Sequence, residues 1–395
     1  MLRRSHKKTR KGSKCDECRR RHIRCDQQRP SCINCQNSDR TCTYRPVAQT
    51  RATAAPSASS TSSSNHTPPH SEEASRRELP SLSSLSAARS PDGSLVDISH
   101  LELFHHFTQG TFLFIDKDTP FTDQLKKTAV SNAFSSPYLM HGILAFAARH
   151  LSTQVAPERS RSYLDQSTRL QTWAVANFNP ALREPDRDCV ALFLFSSLIC
   201  IHGLADISPL NNLDPEPFFI RFGQFFGLQR GVRTIIVDHW SRLRESEIQV
   251  LFQWCDLLAL RKGQGSECDA LRQLVTQSTD LSPTAAEACQ FAIEQVQYIL
   301  DEYSPDHPVP AHLIYATLAW PLFISERMID LMVLRRPAAL IIYAYYGMTL
   351  DLCCRDLWMV GRVGKHIVHA VNRFLGSNWA SWLRWPCEAV GIEVS

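Results

Sequence analysis

Apolar residues recur at helical spacing through most of this chain. Between 139 and 151, Met140, Ile143, Leu144, Ala147 and Leu151 fall on one face of a helix of about 3.6 residues per turn. Leu170, Trp173, Ala174 and Phe178 repeat the pattern. Ser282-Pro283 reads as an N-cap followed by proline at the first helical position. The stripe Ala285, Ala288, Ala292, Val296, Ile299, Leu300 and Tyr303 then carries that helix through several turns. Strand-type alternation is scarce, and its best candidate, 234–237, is short. The pattern predicts an all-α domain over 94–395, in a chain that is mostly α overall.

The first quarter of the chain lacks this period. Residues 1–14 form a basic tail and 15–45 a cysteine-rich module. Residues 46–93 are rich in Ser, Thr, Pro and Ala, with too few apolar side chains to offset the entropy of ordering. They are expected to be a disordered linker. The start, Met1 to Lys8, has charge but no apolar segment behind it, so no secretory signal is expected. The longest uncharged stretch, 189–205, contains two Ser, a His and a Gly. It is marginal for a membrane span, which needs about 20 apolar residues, and reads as a buried core helix. The protein is expected to be soluble and intracellular.

Charge sharpens the division. Residues 1–45 hold 14 basic and 4 acidic groups, a net +10, against 29 and 35, a net −6, in the remainder. A basic head on an acidic body suggests a polyanion partner. Six of the 14 cysteines lie between 15 and 42. The other eight are scattered among apolar residues, as free buried thiols would be in a reducing compartment.

The six have an internal repeat. Cys15-x2-Cys18-x6-Cys25 is echoed by Cys32-x2-Cys35-x6-Cys42. Structural zinc takes four ligands and prefers thiolate. Two zinc ions need eight ligands, and six cysteines suffice if two sulfurs bridge both metals. A disulfide framework fits poorly with a chain that shows no export signal, and two separate zinc sites would need two further ligands. His6 and His22 fit no regular spacing for that role. Between Cys18 and Cys25 lies Arg19-Arg20-Arg21-His22-Ile23-Arg24, whereas 36–41 in the second half is weakly charged. The first half should therefore face a duplex, because the arginine fork can grip guanine or phosphate bidentately. Arg19, Arg20 and Arg24 suit phosphates. Ile23 suits the module's small interior.

This module resembles the fungal Zn2Cys6 binuclear cluster family of transcription factors, including Pro30 in the loop between the halves. The resemblance implies that Cys15 and Cys32 bridge two zinc ions. Cys18 and Cys25 would complete one site, and Cys35 and Cys42 the other. It also implies base contacts from Arg21 and His22 to a CGG-like element in double-stranded DNA, regulation of RNA polymerase II transcription, and a nuclear location. His22 departs from the lysine more usual there.

Leu101 to Phe107, Pro137 to Ala145, Trp358 to Arg362 and Trp382 to Pro386 are similar to the fungal-specific regulatory domain, in the subgroup of sterol-uptake regulators. That resemblance implies a helical domain responding to a sterol-like effector or a partner. Phe104, Phe107, Met140 and Phe146 are more often core than ligand box. His105, His106 and His141 are read as satisfied or exposed, with pocket or metal roles as alternatives. No paired acids, phosphate loop or nucleophile elbow appear, and an enzyme is not expected. Heptads are missing from 46–93, so a homodimer would have to form through the body. The competing function is a zinc-stabilised protein-interaction module without sequence-specific DNA binding.

Overall fold

A computed structural model describes residues 15–21, 25, 32, 35, 41–43, 97–111, 120–184, 188–209 and 214–394. The basic tail and the linker 46–93 lie outside the described residues. The chain divides into two compact units, Met1–Pro80 and Ser81–Ser395. Among the described residues of the first is a short helix, α1 (Asp16–Arg20).

The second unit is a helical body, with no strand among the described residues. In chain order it contains α2 (Ile98–His106), α3 (Pro120–Ser135), α4 (Pro137–Gln154), α5 (Pro157–Ala181), α6 (Cys189–Ile207) and α7 (Pro215–Asp238). The short α8 (Trp240–Arg244), then α9 (Gln249–Leu260), α10 (Asp269–Gln277) and α11 (Pro283–Glu302), follow. The last are α12 (Ala311–Phe323), α13 (Glu326–Val333), α14 (Pro337–Cys354), α15 (Val363–Leu375) and α16 (Ala380–Val390).

Side-chain chemistry sets these ends. Asp97 caps α2 by accepting from the amides of Ser99 and His100, and Asp188 caps α6 through Val190 and Ala191. The predicted Ser282 cap accepts from the Ala285 amide at 3.3 Å, with Pro283 opening α11. Ala285, Ala288, Ala292, Val296 and Ile299 of that stripe are buried, while Leu300 and Tyr303 pack at its edge.

α4 and α5 form an antiparallel pair. Ser160 Oγ donates to Ser152 O, Ser167 Oγ donates to Ala145 O, and the rings of Tyr138 and Phe178 meet at 5.5 Å. Ile143, Leu144, Ala147, Leu170 and Ala174 lie buried. Trp173, expected on the inner stripe, instead faces outward and stacks on His141 at 3.8 Å.

The centre of the body is α14, most of whose residues are buried. It crosses α15 at a glycine pair. A Cβ on Gly364 would come within 2.4 Å of the Gly347 carbonyl oxygen and 2.5 Å of the Asp351 amide nitrogen. Only glycine permits that approach. Trp320 stacks on Tyr346 at 4.2 Å and donates its indole N–H to Ala292 O, tying α12 to α11 and α14.

Residues 234–237, the strand candidate, are helical within α7. The β-branched character of four residues is outweighed by the helical spacing of Phe218, Phe222, Phe225, Phe226, Val232 and Ile235, which are buried, while Thr234 and Val237 are exposed. Two helices, Cys189–Ile207 and Pro337–Cys354, are long and apolar enough to cross a membrane, and both bury most of their residues against other helices. Outside the first unit, Cys189, Cys200, Cys268, Cys289, Cys353, Cys354 and Cys387 are buried free thiols.

Candidate metal centre and nucleic-acid interface

The six N-terminal cysteines converge. Five are buried, and Cys42 packs against them half-buried. The Cys15 and Cys32 sulfurs lie 3.8 Å apart, Cys15 and Cys35 3.8 Å, and Cys18 and Cys32 3.6 Å. A disulfide needs about 2.05 Å. A regular tetrahedron of sulfurs around zinc, with Zn–S about 2.3 Å, has edges of about 3.8 Å. The spacing is thus that of ligands around a metal.

The neighbours fall into two sets. The Cys18 thiol meets those of Cys15, Cys32 and Cys25, whereas the Cys35 thiol meets those of Cys32, Cys15 and Cys42. Cys15 and Cys32 are common to both. Burial, reinforced by neighbouring thiols, pushes Cys18 up to about 12 and raises Cys35 as well. Burial also raises Cys15, while the Cys32 backbone amide lowers Cys42. Thiols packed this way resist ionisation until a dication supplies the missing charge, so the donor set suits a metal.

Local backbone geometry builds the cluster around α1. Cys15 is the N-cap, and its Sγ accepts from the Cys18 amide at 3.3 Å. Asp16 and Glu17 occupy the first turn and Arg19 and Arg20 the last, which suits the helix dipole. In the second half, Cys35 N–H donates to Cys32 O at 3.0 Å and Cys32 N–H to Cys42 Sγ at 3.4 Å. Asp16 N–H donates to Thr43 O at 2.9 Å, closing the two ends of the module together.

The arginines are on the outside. Arg19, Arg20 and Arg21 are all exposed. Arg20 turns back on its own helix, its guanidinium donating to both Glu17 carboxylate oxygens at 2.9 and 2.7 Å. Arg19 and Arg21 make no ion pair among the described residues. His22, Ile23 and Arg24 lie outside the described residues.

Two family models match the chain. Residues 14–51 match the fungal Zn(2)-Cys(6) binuclear cluster domain. The metal is two zinc ions. Residues 102–212 match the fungal specific transcription factor domain, so the cluster domain precedes a second region of known family type. A protein of Gibberella zeae described as a Zn(2)-C6 fungal-type transcription factor is 24% identical over 311 residues. That alignment covers 75% of this chain and 62% of the relative, so the chain spans about three fifths of the relative's length. No solved structure matches.

The histidines of the body do not make a second centre. His105 is exposed. His106 Nε2 lies 3.1 Å from His150 Nδ1, beside Trp358, whereas His141 Nδ1 donates to Pro137 O at 2.8 Å. Among the described residues the cysteines of the cluster domain are the only metal-ligating group of three or more. Phe107 and Phe146 are core, and Phe104 and Met140 pack against it. Sequence reasoning did not anticipate the Glu17–Arg20 pair, although its i,i+3 spacing is a readable signal.

Proposed function

We propose that this chain is a zinc-dependent, sequence-specific DNA-binding transcription regulator acting in the nucleus on double-stranded DNA. The observation that carries the reading is the thiol cage at tetrahedral spacing, from which a short helix displays arginines on the outer face. The concentration of +10 on residues 1–45 supports a polyanionic partner. The matched descriptions and the relative's name point the same way.

In this reading Cys15 and Cys32 bridge the two zinc ions, Cys18 and Cys25 complete one site, and Cys35 and Cys42 complete the other. Arg21 and His22 read bases of a CGG-like element, while Arg19, Arg20 and Arg24 hold phosphates. The body senses an effector or partner and supplies any homodimer contact. An apolar groove of about 500 Å³ between α5, α6 and α7 supports a lipid-sized effector such as a sterol; Gly227 and Gly231 leave its wall open.

Selection of the full chain against a random duplex library, with and without chelator, tests the central claim. A zinc-dependent enriched motif is expected. Retention of DNA without preference, or no retention, would leave the protein-interaction reading in its place.

A further inference from the structure

α2 carries apolar side chains on opposite faces. Leu103, with Phe107 just beyond the end of the helix, is fully buried. Ile98 and Leu101, on the other side, are 67% and 52% exposed. A surface helix ordinarily turns polar groups toward water. Here most polar groups of α2 are spent on its flank and its start. Glu102 accepts from the Tyr163 hydroxyl at 2.9 Å, Ser99 Oγ accepts from Gln166 Nε2 at 3.1 Å, and Asp97 caps the helix.

The exposed strip continues onto α3 through a ring contact. Phe104 meets Phe134 at 6.0 Å, and Phe134, near the end of α3, is 71% exposed. At the start of α2 the His100 ring meets that of His141 at 6.0 Å, and His141 stacks in turn on the outward-facing Trp173 of α5. A contiguous apolar and aromatic surface of this kind marks an interaction site, whereas exposed apolar residues scattered singly do not.

Two features indicate what covers it. None of Ile98, Leu101, Phe104, Phe134 and Trp173 is ionisable, so two copies of the strip can meet without opposing like charges. The chain that leads from the cluster domain, residues 44–96, ends at Asp97, the cap of α2. α2 has nine residues and is only about 14 Å long, so a pair formed there starts both connecting segments from one place. We propose that the exposed face of α2 and α3 pairs with the same face of a second copy of this chain, in an isologous dimer. The proposal locates the homodimer contact that the body supplies in the reading above, and it rests on that reading for its role on DNA.

Sedimentation velocity of the zinc-loaded full chain, over a concentration series reaching the high-micromolar range, tests it. A shift from one copy to two is expected, with no larger species, because an isologous face is closed by its partner. Leu101→Glu combined with Phe134→Glu should raise the dissociation constant by about tenfold or more, since carboxylates would then enter an apolar contact. Both positions are exposed, so this variant should unfold at the same temperature as the parent chain. Val237→Glu, at an exposed apolar residue of α7, should leave pairing unchanged. Hydrogen exchange needs no variant: the α2 amides should exchange more slowly as concentration rises, and those of α16 should not. A single copy at every concentration, undiminished pairing in the double variant, an equal loss in Val237→Glu, or pairing without added protection of α2 overturns the face. Duplex selection on the same preparation separates this from the DNA reading. A monomer that still enriches a zinc-dependent motif loses only the pairing. A dimer without sequence preference keeps the pairing and loses the DNA reading.

Discussion

Arg20 and Arg21 are adjacent, exposed and chemically identical, yet their surroundings give them different work. Arg20 spends its fork on Glu17 within α1. An exposed pair of this kind contributes little stability, and its effect is to hold one guanidinium close to its own helix. Arg21 follows the helix with no such tie among the described residues. Arg21→Ala should therefore weaken specific binding by about 1–3 kcal/mol and blur preference at one base, as read by titration against specific and scrambled duplexes. Equal losses on both duplexes would remove it from base reading. At the metal, the sulfurs common to both neighbour sets carry more than the rest. Cys32→Ser should empty both zinc positions, whereas Cys25→Ser should spare one, and native mass spectrometry of each variant counts the ions directly. Retention of two zinc ions by Cys32→Ser would refute the bridging assignment.

At the scale of elements, contact distance decides what sequence can vary. The α14–α15 crossing leaves no room for a methyl group at Gly364, since the atoms it would meet are backbone. Gly364→Ala should destabilise the body by about 1–3 kcal/mol despite the better helix propensity of alanine. Thermal unfolding checks this, and a gain in stability would show that the crossing yields. The helices whose caps and stripes are local in sequence, such as α4 and α11, are legible from the residues alone, and so are the cysteine pairs, because ligand spacing is also local. Trp173 falls on the wrong side because a helical period identifies a stripe without saying how wide the buried part is. The segment 234–237 resembles a strand because β-branched residues fit a pleat; packing along the whole of α7 outweighs that preference. The left-handed turn at Arg335 carries no readable sign. The usual signal for a left-handed helix end is glycine, and an arginine stands there instead.

The two units titrate through different groups. In the cluster domain, zinc binding requires thiolates, so metal affinity should fall as pH falls, by up to about tenfold per unit for each proton displaced. Zinc release followed with a chromogenic chelator between neutral and mildly acid pH reads this, and a flat profile would contradict thiolate ligation. In the body, His202 is buried against Ser167, with Asp206 and Arg149 nearby, and burial lowers it to about 4. The unfolded chain takes up that proton near pH 6.5, at about the ordinary histidine value. Stability from this residue is therefore complete above about 6.5 and declines as pH falls toward 4, by roughly 3 kcal/mol. His202→Gln should flatten that part of the stability profile of the body; an unchanged slope would assign it to other groups.

The Cys15 sulfur has a further consequence, because the atom that caps α1 also sits among the metal ligands. A helix of five residues has no independent stability, so the reading surface cannot be assembled first and filled later. Each molecule is then either competent or blank. Scarcity of zinc would thin the number of working copies in a cell while leaving the affinity of every remaining copy unchanged.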